Sequence, residues 1–321
     1  MWDIIIQIAG IIVQIFPYAI AYTIPLLITA LGGLFSERSG VVNIGLEGLM
    51  VIGGFAGALT ISTFQRSMPG TAIWLGLFAA FVAGALFALL HAFACVTLNA
   101  NQVISGIAIN MVAGALTTFL ARNMTGSGNV RIRGMLRQDV PVLSEIPILG
   151  KTLFTQTYAS TWVVLAILLL SAFLLYKTKF GLRLRACGEH PHAADAAGVN
   201  VYLIRYLAVM LSGAFAGLGG AIFLATVSGE FSGSAGGIGF LALAALIFGQ
   251  WKPIGILGAA FFFGFATTIA NVSQVIPLFS NIPSILLKTF PFVVTLVALV
   301  LFSKSSQAPR AAGEPYDKGK R

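Results

Sequence analysis

The sequence predicts an all-α polytopic membrane protein with eight to ten transmembrane helices. Of its 321 residues, 58% are hydrophobic and 9% are charged, and the mean hydropathy is +0.93. A soluble domain carries about 25% charged residues, and a disordered chain is less hydrophobic, so the composition excludes both classes. The charges also leave long uncharged runs, of the length that a membrane helix of about 20 residues needs. These runs are 4–36, 67–121, 152–176, 206–229, 231–251 and 253–287.

The uncharged runs resolve into nine membrane segments. Run 67–121 is long enough for two crossings, with Asn99, Asn101 and Gln102 in the turn between them. Pro17 and Pro25 are expected to kink or split the first segment. Segment 237–251 is short for a crossing and is expected to be half of a broken helix. The segments lie near 4–34, 42–62, 72–98, 103–121, 158–176, 201–226, 237–251, 254–276 and 284–303.

Polar stretches set the orientation of a transmembrane domain that covers residues 1–303. The basic loops 122–157 and 177–200 flank a single crossing, so they lie on opposite sides of the membrane. Loop 177–200 shares its side with the tail 304–321 and with twelve of the 19 basic residues. Because cytoplasmic loops are rich in Lys and Arg, that side is expected to be cytoplasmic and loop 122–157 external. The N-terminus is external with nine crossings and internal with ten.

Two further expectations follow from composition. The tail 304–321 is rich in Ala, Gly, Pro and charge, which predicts a disordered cytoplasmic segment. The net charge of +9 is explained by the basic loops of a membrane protein, so no nucleic-acid partner is expected.

A weak internal repeat suggests two related halves. Asn43-Ile44-Gly45-Leu46 and Gly237-Ile238-Gly239-Phe240 each begin a Gly-rich segment, and Pro69 or Pro253 then opens a further apolar helix. The two copies run in opposite directions in the expected topology. Inverted repeats with broken helices are typical of transporters and place a pathway between the halves. The alternative is that Gly-rich apolar segments resemble one another through composition alone.

Two polar stretches inside the apolar sequence are candidates for a solute pathway. Segment 36–48 places Glu47 several residues inside an apolar segment, where an ionisable group costs about 2.5–3.5 kcal/mol. The Gly-rich stretch 229–240 favours irregular backbone, which membranes tolerate where it is buried or lines a cavity. The alternative interpretation is interfacial loops and helix packing. The candidate pathway residues are Asn43, Glu47, Glu230, Ser232 and Ser234.

Loop 177–200 contains the signals of a short helix. Pro191 suits the first helical position, and Gly198 suits the left-handed residue that ends a helix. So short a helix is unstable alone and requires neighbours or a partner. The alternative is a simple connector.

These two motifs resemble those of a known family. Glu37-Arg38-Ser39-Gly40-Val41-Val42-Asn43-Ile44-Gly45-Leu46-Glu47-Gly48 resembles the N-terminal signature of bacterial ABC-importer permeases of the sugar and nucleoside branch. That branch is related to the ribose and branched-chain amino acid permeases. Residues 180–199 resemble the family's cytoplasmic loop, which docks on an ATPase subunit. The resemblance covers about residues 10–300 and is greatest to nucleoside-type permeases.

The resemblance implies a permease subunit in the bacterial cytoplasmic membrane that translocates a small polar solute, with a nucleoside favoured. The implied partners are an ATPase that binds ATP and Mg, a second identical or different permease, and a substrate-binding lipoprotein. This chain itself is expected to bind no cofactor. The residues implied in coupling to the ATPase are Arg183, Arg185, Gly188, Glu189, Pro191, Ala193, Ala194, Asp195, Ala197 and Gly198.

The alternative function is an ion-coupled secondary transporter of a sugar, nucleoside or amino acid. The inverted repeat suits it equally, whereas the coupling loop and the scarcity of acidic residues in the membrane segments favour the importer. No enzyme activity, catalytic residue or metal site is expected. Gly150-Lys151-Thr152 resembles the end of a phosphate-binding loop, but Glu145 stands where that motif requires glycine.

Overall fold

The computed structural model consists of a helical bundle and one short β-ribbon. It describes residues 2–146, 150–272, 285, 286, 289, 293, 297 and 307–319. The helices are α1 (Trp2–Arg38), α2 (Leu46–Phe64), α3 (Ala72–Ala92), α4 (Gln102–Thr125), α5 (Ala159–Lys177), α6 (Lys179–Glu189), α7 (Pro191–Ala196), α8 (Val201–Phe223), α9 (Ile238–Phe248) and α10 (Pro253–Val272). The strands are β1 (Val130–Arg131) and β2 (Glu230–Phe231).

Several short turns complete the described elements. Helices α3 and α8 each continue into a π-helical turn, over Phe93–Thr97 and Leu224–Ser228. The long loop between α4 and α5 contains a 3₁₀ turn at Leu143–Glu145 and a π-helical turn at Gly150–Phe154.

The described helices confirm the prediction of a polytopic helical membrane protein. Seven of them are long and apolar enough to cross a bilayer, and α9 is a shorter apolar helix. Helix α1 continues through Pro17 and Pro25 without a break. Most of the predicted segment 284–303 lies outside the described residues.

The bundle has two distinct ends. At the loop end, α6 lies against the end of α1, where Arg38 Nη1 is 3.9 Å from Glu189 Oε1, and α7 packs on α6 and α8. At the ribbon end, β1 pairs antiparallel with β2, with Val130 opposite Phe231. Helix α5 is the single crossing between loops 122–157 and 177–200, so these loops lie at opposite ends of the bundle, as their position on either side of one membrane segment predicted.

Helix α8 lies at the centre of the described bundle and packs against α1, α2 and α3. The apolar windows of α1, α2 and α8 are 89%, 67% and 72% buried, whereas those of α3, α4 and α5 are 28%, 22% and 33% buried. Glycine permits the close approach: a Cβ at Gly213 would overlap Gly84 O, and one at Gly53 would overlap Gly217. Small residues at such crossings let membrane helices pack closely without a hydrophobic driving force.

The two copies of the sequence repeat meet within the bundle and diverge. Helix α2 leads to the ribbon end, where the rings of Phe55 and Phe231 are 5.4 Å apart. Helix α9 has 11 residues and leads to Trp251 at the loop end. The parallel between the prolines is incomplete, because α10 begins at Pro253 whereas α3 begins at Ala72, after a turn that follows Pro69.

The C-terminal segment corrects the prediction of a disordered tail 304–321. Residues 307–319 pack on the loop end, where Ala311 N donates to Gly188 O at 2.9 Å and Gly313 N to Gly40 O at 3.1 Å. The Tyr316 side chain is 3% exposed. The same Ala and Gly content that predicted disorder lets the backbone approach the bundle closely, and Pro309, Ala311 and Tyr316 provide the buried apolar area. Residues 304–306, 320 and 321 lie outside the described residues.

Candidate functional site

Asn43 holds the irregular segment between α1 and α2 against the central helix. Its side chain is buried, Nδ2 donates to Ser212 Oγ of α8 at 2.9 Å, and Oδ1 accepts from Gly45 N at 3.1 Å. The amide group therefore bonds within the protein and turns the chain into the start of α2.

Glu47 connects the two halves of the bundle. It lies in the first turn of α2, is half-buried, and accepts from Gly237 N at 2.9 Å and from Gly239 N at 2.7 Å. Those amides belong to the start of α9, so one carboxylate lies near the N-termini of two helices. Unpaired amides and the helix dipole both favour a negative charge there. This position explains a carboxylate inside an apolar segment.

The contact between the start of α2 and the start of α9 is here termed the junction. Two residues that sequence reasoning missed hold the chain on the α2 side of it. Asn110 of α4 donates to Ile44 O at 3.0 Å and accepts from Gly48 N at 2.7 Å. Gln102 Oε1 accepts from Val42 N at 2.6 Å. The available signal was an amide side chain within or at the start of an apolar helix, which rarely lies there without a polar partner.

The other three candidate pathway residues lie towards the ribbon end. Glu230 Oε2 is 3.4 Å from Arg131 Nε, which makes an ion pair across the ribbon. The Arg131 side chain is 90% exposed. Ser232 and Ser234 are exposed, and Ser234 Oγ accepts from Gly236 N at 3.0 Å. The structure therefore joins Glu47 to the segment that follows these serines, and it does not gather all five candidates into one cluster.

The short helix predicted in loop 177–200 is present as α7. Pro191 occupies its first turn, and His190 Nδ1 accepts from Ala193 N at 3.2 Å. At the other end Gly198 has φ +81° and donates to Asp195 O, while Val199 N donates to Ala194 O. This pair of bonds is the Schellman motif, which ends a helix at a left-handed residue. The capping role of His190 was missed because Ser, Thr, Asp and Asn are the usual N-caps.

The ten candidate coupling residues divide between two faces. Gly188, Pro191 and Ala194 are buried and hold α6 and α7 against the bundle. Arg185 and Asp195 are half-buried. Exposed residues on the outer face are Arg183, Glu189, Ala193, Ala197 and Gly198.

The end of α6 is braced against α1 and the α9–α10 corner. Arg38 Nε and Nη2 donate to Trp251 O at 3.1 and 2.8 Å, and Arg38 also pairs with Glu189. Trp251 Nε1 in turn donates to Glu37 Oε2 at 2.5 Å. A displacement of α6 would therefore act on α1 through the Glu189–Arg38 pair and, through Arg38, on the α9–α10 corner.

Cys187 lies on the buried side of α6. Burial raises the pKa of its thiol from 9.0 to about 11, because it disfavours the thiolate, and the positive charge of Arg205 offsets part of this effect. Cys187 and Cys95 are both free, buried thiols.

Comparison with known proteins identifies the family. Residues 15–300 match the family described as the permease component of branched-chain amino acid transport systems. The chain belongs to this permease family. It is 48% identical to the guanosine ABC transporter permease protein NupQ of Bacillus subtilis, with 99% of both chains covered.

Two further permeases extend the comparison. The nucleoside ABC transporter permease protein NupC of Lactococcus lactis is 43% identical, covering 93% of this chain and 95% of NupC. The guanosine ABC transporter permease protein NupP of Bacillus subtilis is 27% identical, covering 89% of this chain and 80% of NupP. The resemblance read from residues 37–48 and 180–199 is confirmed: the chain is a multi-pass permease subunit of an ABC transporter.

Proposed function

We propose that this permease imports a nucleoside across the bacterial cytoplasmic membrane and that a cytoplasmic ATPase drives it through α6 and α7. The observation that carries the coupling role is the geometry of α7. Its buried face holds it to the bundle, and its outer face presents the small residues Ala193 and Ala197. Such a surface suits insertion into a groove of a partner.

The support for a nucleoside comes from the relatives. NupQ and NupC, at 48% and 43% identity over nearly their full lengths, are named as guanosine and nucleoside permeases. A nucleoside is neutral and requires hydrogen bonds more than a charged cage. The exposed Ser232 and Ser234, beside the junction that Glu47 holds, provide hydroxyl groups of that kind. We therefore place the solute path along this side of the junction.

The orientation of the subunit follows from charge. Arg38, Lys252 and the loop 177–200 lie at the same end of the bundle as residues 307–319, which agrees with the side that holds twelve of the 19 basic residues. We propose that this end and the C-terminus are cytoplasmic. The ribbon end would then face outward and receive solute from a lipoprotein receptor.

The remaining partners are also proposals. NupP and NupQ are two different guanosine permeases of one organism, and this chain is similar to both. A second, different permease subunit is therefore proposed to complete the pathway. ATP and Mg would bind to the ATPase, and this chain would carry out no chemistry of its own.

Ion-driven transport is less well supported by the geometry. A carrier coupled to protons needs a titratable group in the membrane that can exchange its proton during transport, and a carboxylate is such a group. Within the described membrane spans, the acidic side chains are those of Glu37, which is buried, and Glu47, which is half-buried. Each accepts hydrogen bonds from donors elsewhere in this chain. These bonds give both side chains a structural role.

The docking role can be tested with two matched variants of the complete transporter. Ala193→Trp blocks the outer face of α7, whereas Ala166→Trp puts the same bulk on the exposed face of α5. We expect Ala193→Trp to abolish co-purification of the ATPase and ATP-dependent uptake, and Ala166→Trp to retain both. Equal retention by the two variants would contradict docking at α7.

The substrate class requires a separate measurement. Proteoliposomes that contain the complete transporter and its receptor would be supplied with labelled guanosine, glucose or leucine. We expect guanosine alone to accumulate, and to do so only with ATP inside the reconstituted cytoplasmic compartment. Accumulation driven by an ion gradient without the ATPase would establish the alternative mechanism.

A further inference from the structure

We infer that the C-terminal residues 309–318, here termed the strap, hold α7 in its docking position and form part of the surface that the ATPase contacts. This inference rests on the proposed docking role of α7. It assigns a coupling function to a segment that composition alone predicted to be disordered.

The strap is attached to the bundle through its backbone. Ala311 N donates to the carbonyl of Gly188 at the end of α6, and Gly313 N donates to the carbonyl of Gly40 just beyond α1. Gly188 O is among the last carbonyls of α6, which have no partner within the helix, and Gly40 O lies in the turn that follows α1. The strap therefore satisfies groups that would otherwise need water or another partner.

Tyr316 joins α7 to α8 through its ring. The ring centroid is 5.1 Å from that of His192 in α7 and 5.4 Å from that of Tyr202 in α8. With 3% of the residue exposed, Tyr316 is the main apolar anchor of the strap. Pairs of aromatic rings at such separations are favourable beyond the area they bury. Loss of this ring would remove the aromatic contacts that add to the direct packing of α7 on α8.

Arg205 links the strap to the segment that enters the membrane. It is 1% exposed, Nε donates to Ser39 O at 3.2 Å, and Nη1 donates to Glu314 O at 3.1 Å. Gly40 has φ +94°, and a side chain there would lie 2.7 Å from Arg205 Nη2. A buried guanidinium requires such acceptors, because an unpaired buried charge is costly. The strap thus provides one of the two backbone acceptors of a charge that also positions the chain leading to Asn43.

The strap also extends the outer surface of α7. Lys318 Nζ is 3.8 Å from Asp195 Oδ1, and the Lys318 side chain is 68% exposed. An exposed pair of this kind adds little stability. It places Lys318 of the strap beside α7, so we expect a partner that covers the exposed face of α7 to contact the strap as well.

The test uses the complete transporter with its ATPase and a reporter of strap position. Cysteines at Asp195→Cys and Lys318→Cys allow a short bifunctional crosslinker to report contact, and the native thiols of Cys95 and Cys187 are buried. Tyr316→Ala and Tyr316→Phe are then compared, for crosslinking in this background and for coupling in the transporter that keeps Asp195 and Lys318. The phenylalanine variant keeps the ring and serves as the matched control.

We expect Tyr316→Ala to lower the equilibrium constant for docking of the strap about tenfold or more, since loss of a buried aromatic side chain costs more than the free energy of a tenfold change, and crosslinking to fall with it. We also expect the amount of solute transported per ATP hydrolysed to fall in Tyr316→Ala. Tyr316→Phe should retain both the crosslinking and the transport ratio of the unsubstituted chain. Unchanged crosslinking and coupling in Tyr316→Ala would overturn the inference that the strap holds α7 in position. Failure of the unmodified chain to bind its ATPase would instead overturn the proposed function.

A second measurement avoids any effect of the substitution on folding. A protease recognition sequence inserted between Ser306 and Gln307 allows the strap to be severed after the transporter has assembled. We expect cleavage to release the C-terminal peptide and to lower ATP-dependent uptake several-fold, whereas an uncleavable insertion of equal length retains it. Full uptake after release of the peptide would contradict the inference.

Discussion

The carboxylate of Glu47, at the start of α2, accepts a hydrogen bond of 2.7 Å from the backbone nitrogen of Gly239, at the start of α9. The two residues are 192 positions apart in the sequence. Their contact joins two helices that leave the junction in opposite directions. A Cβ at Gly239 would lie 2.5 Å from Glu47 Cα, so glycine is required for the approach.

Substitution of Glu47 should therefore affect stability more than solute affinity. Glu47→Gln removes the charge that two helix N-termini stabilise, and we expect a loss of about 1–3 kcal/mol. The midpoint of thermal unfolding and the KM of uptake would be measured together. Glu230→Gln, whose ion pair with Arg131 is exposed, is the control and should change stability by less than about 1 kcal/mol. A raised KM at unchanged stability in Glu47→Gln would show instead that Glu47 binds solute.

The close contact of α3 and α8 predicts a strong difference between two glycines. A methyl group at Gly213 would overlap the carbonyl of Gly84 and the Ala88 methyl, so Gly213→Ala should destabilise the permease by about 1–3 kcal/mol. Gly114→Ala on α4 meets nothing within 4 Å and should be neutral or stabilise by about 0.5–1 kcal/mol. Thermal unfolding in detergent compares the two. Equal effects would refute close packing as the reason for glycine at position 213.

His190 should behave as the N-cap of α7. Its Nδ1 accepts from Ala193 N, so His190→Ala removes an acceptor and should destabilise the short helix by about 1 kcal/mol. His190→Asn offers another capping acceptor and should restore it. Hydrogen exchange of residues 191–197 in the purified permease measures the effect. If Asn exchanges as fast as Ala, the cap has no role.

Cys187 should be unreactive in the folded permease and should make stability depend on alkaline pH. Its pKa is raised to about 11 by burial, so the folded protein holds this proton more tightly than the unfolded chain. Its contribution to stability is therefore fully present below pH 9 and is lost as the pH rises from about 9 to about 11.

Alkylation and unfolding together test this prediction. We expect a maleimide to label an exposed Ser127→Cys reporter rapidly near neutral pH and to label Cys187 only after denaturation. Cys187→Ala should weaken the decline of the unfolding midpoint with alkaline pH. Rapid labelling of Cys187 in the folded protein would be inconsistent with its buried position.

The sequence predicted features that depend on nearby residues. Uncharged runs locate membrane helices because each helix satisfies its own backbone within one segment. Pro191 and Gly198 predicted the bounds of α7 to within two residues, because helix ends obey local backbone rules. Basic residues also grouped loop 177–200 with the C-terminus, and the structure places both at one end.

Only the tertiary structure decided which distant groups meet. Glu47 was identified as unusual, yet its partners at Gly237 and Gly239 depend on how α2 and α9 are placed. Arg205 and Tyr316 drew no attention in the sequence, and residues 309–318 looked disordered by composition. The sequence does not show that the backbone N–H of Ala311 or Gly313 will make a tertiary hydrogen bond, because every residue except proline has a backbone N–H group. Its acceptor is chosen by the packing of helices that are far apart in the chain, and that packing made the strap part of the fold.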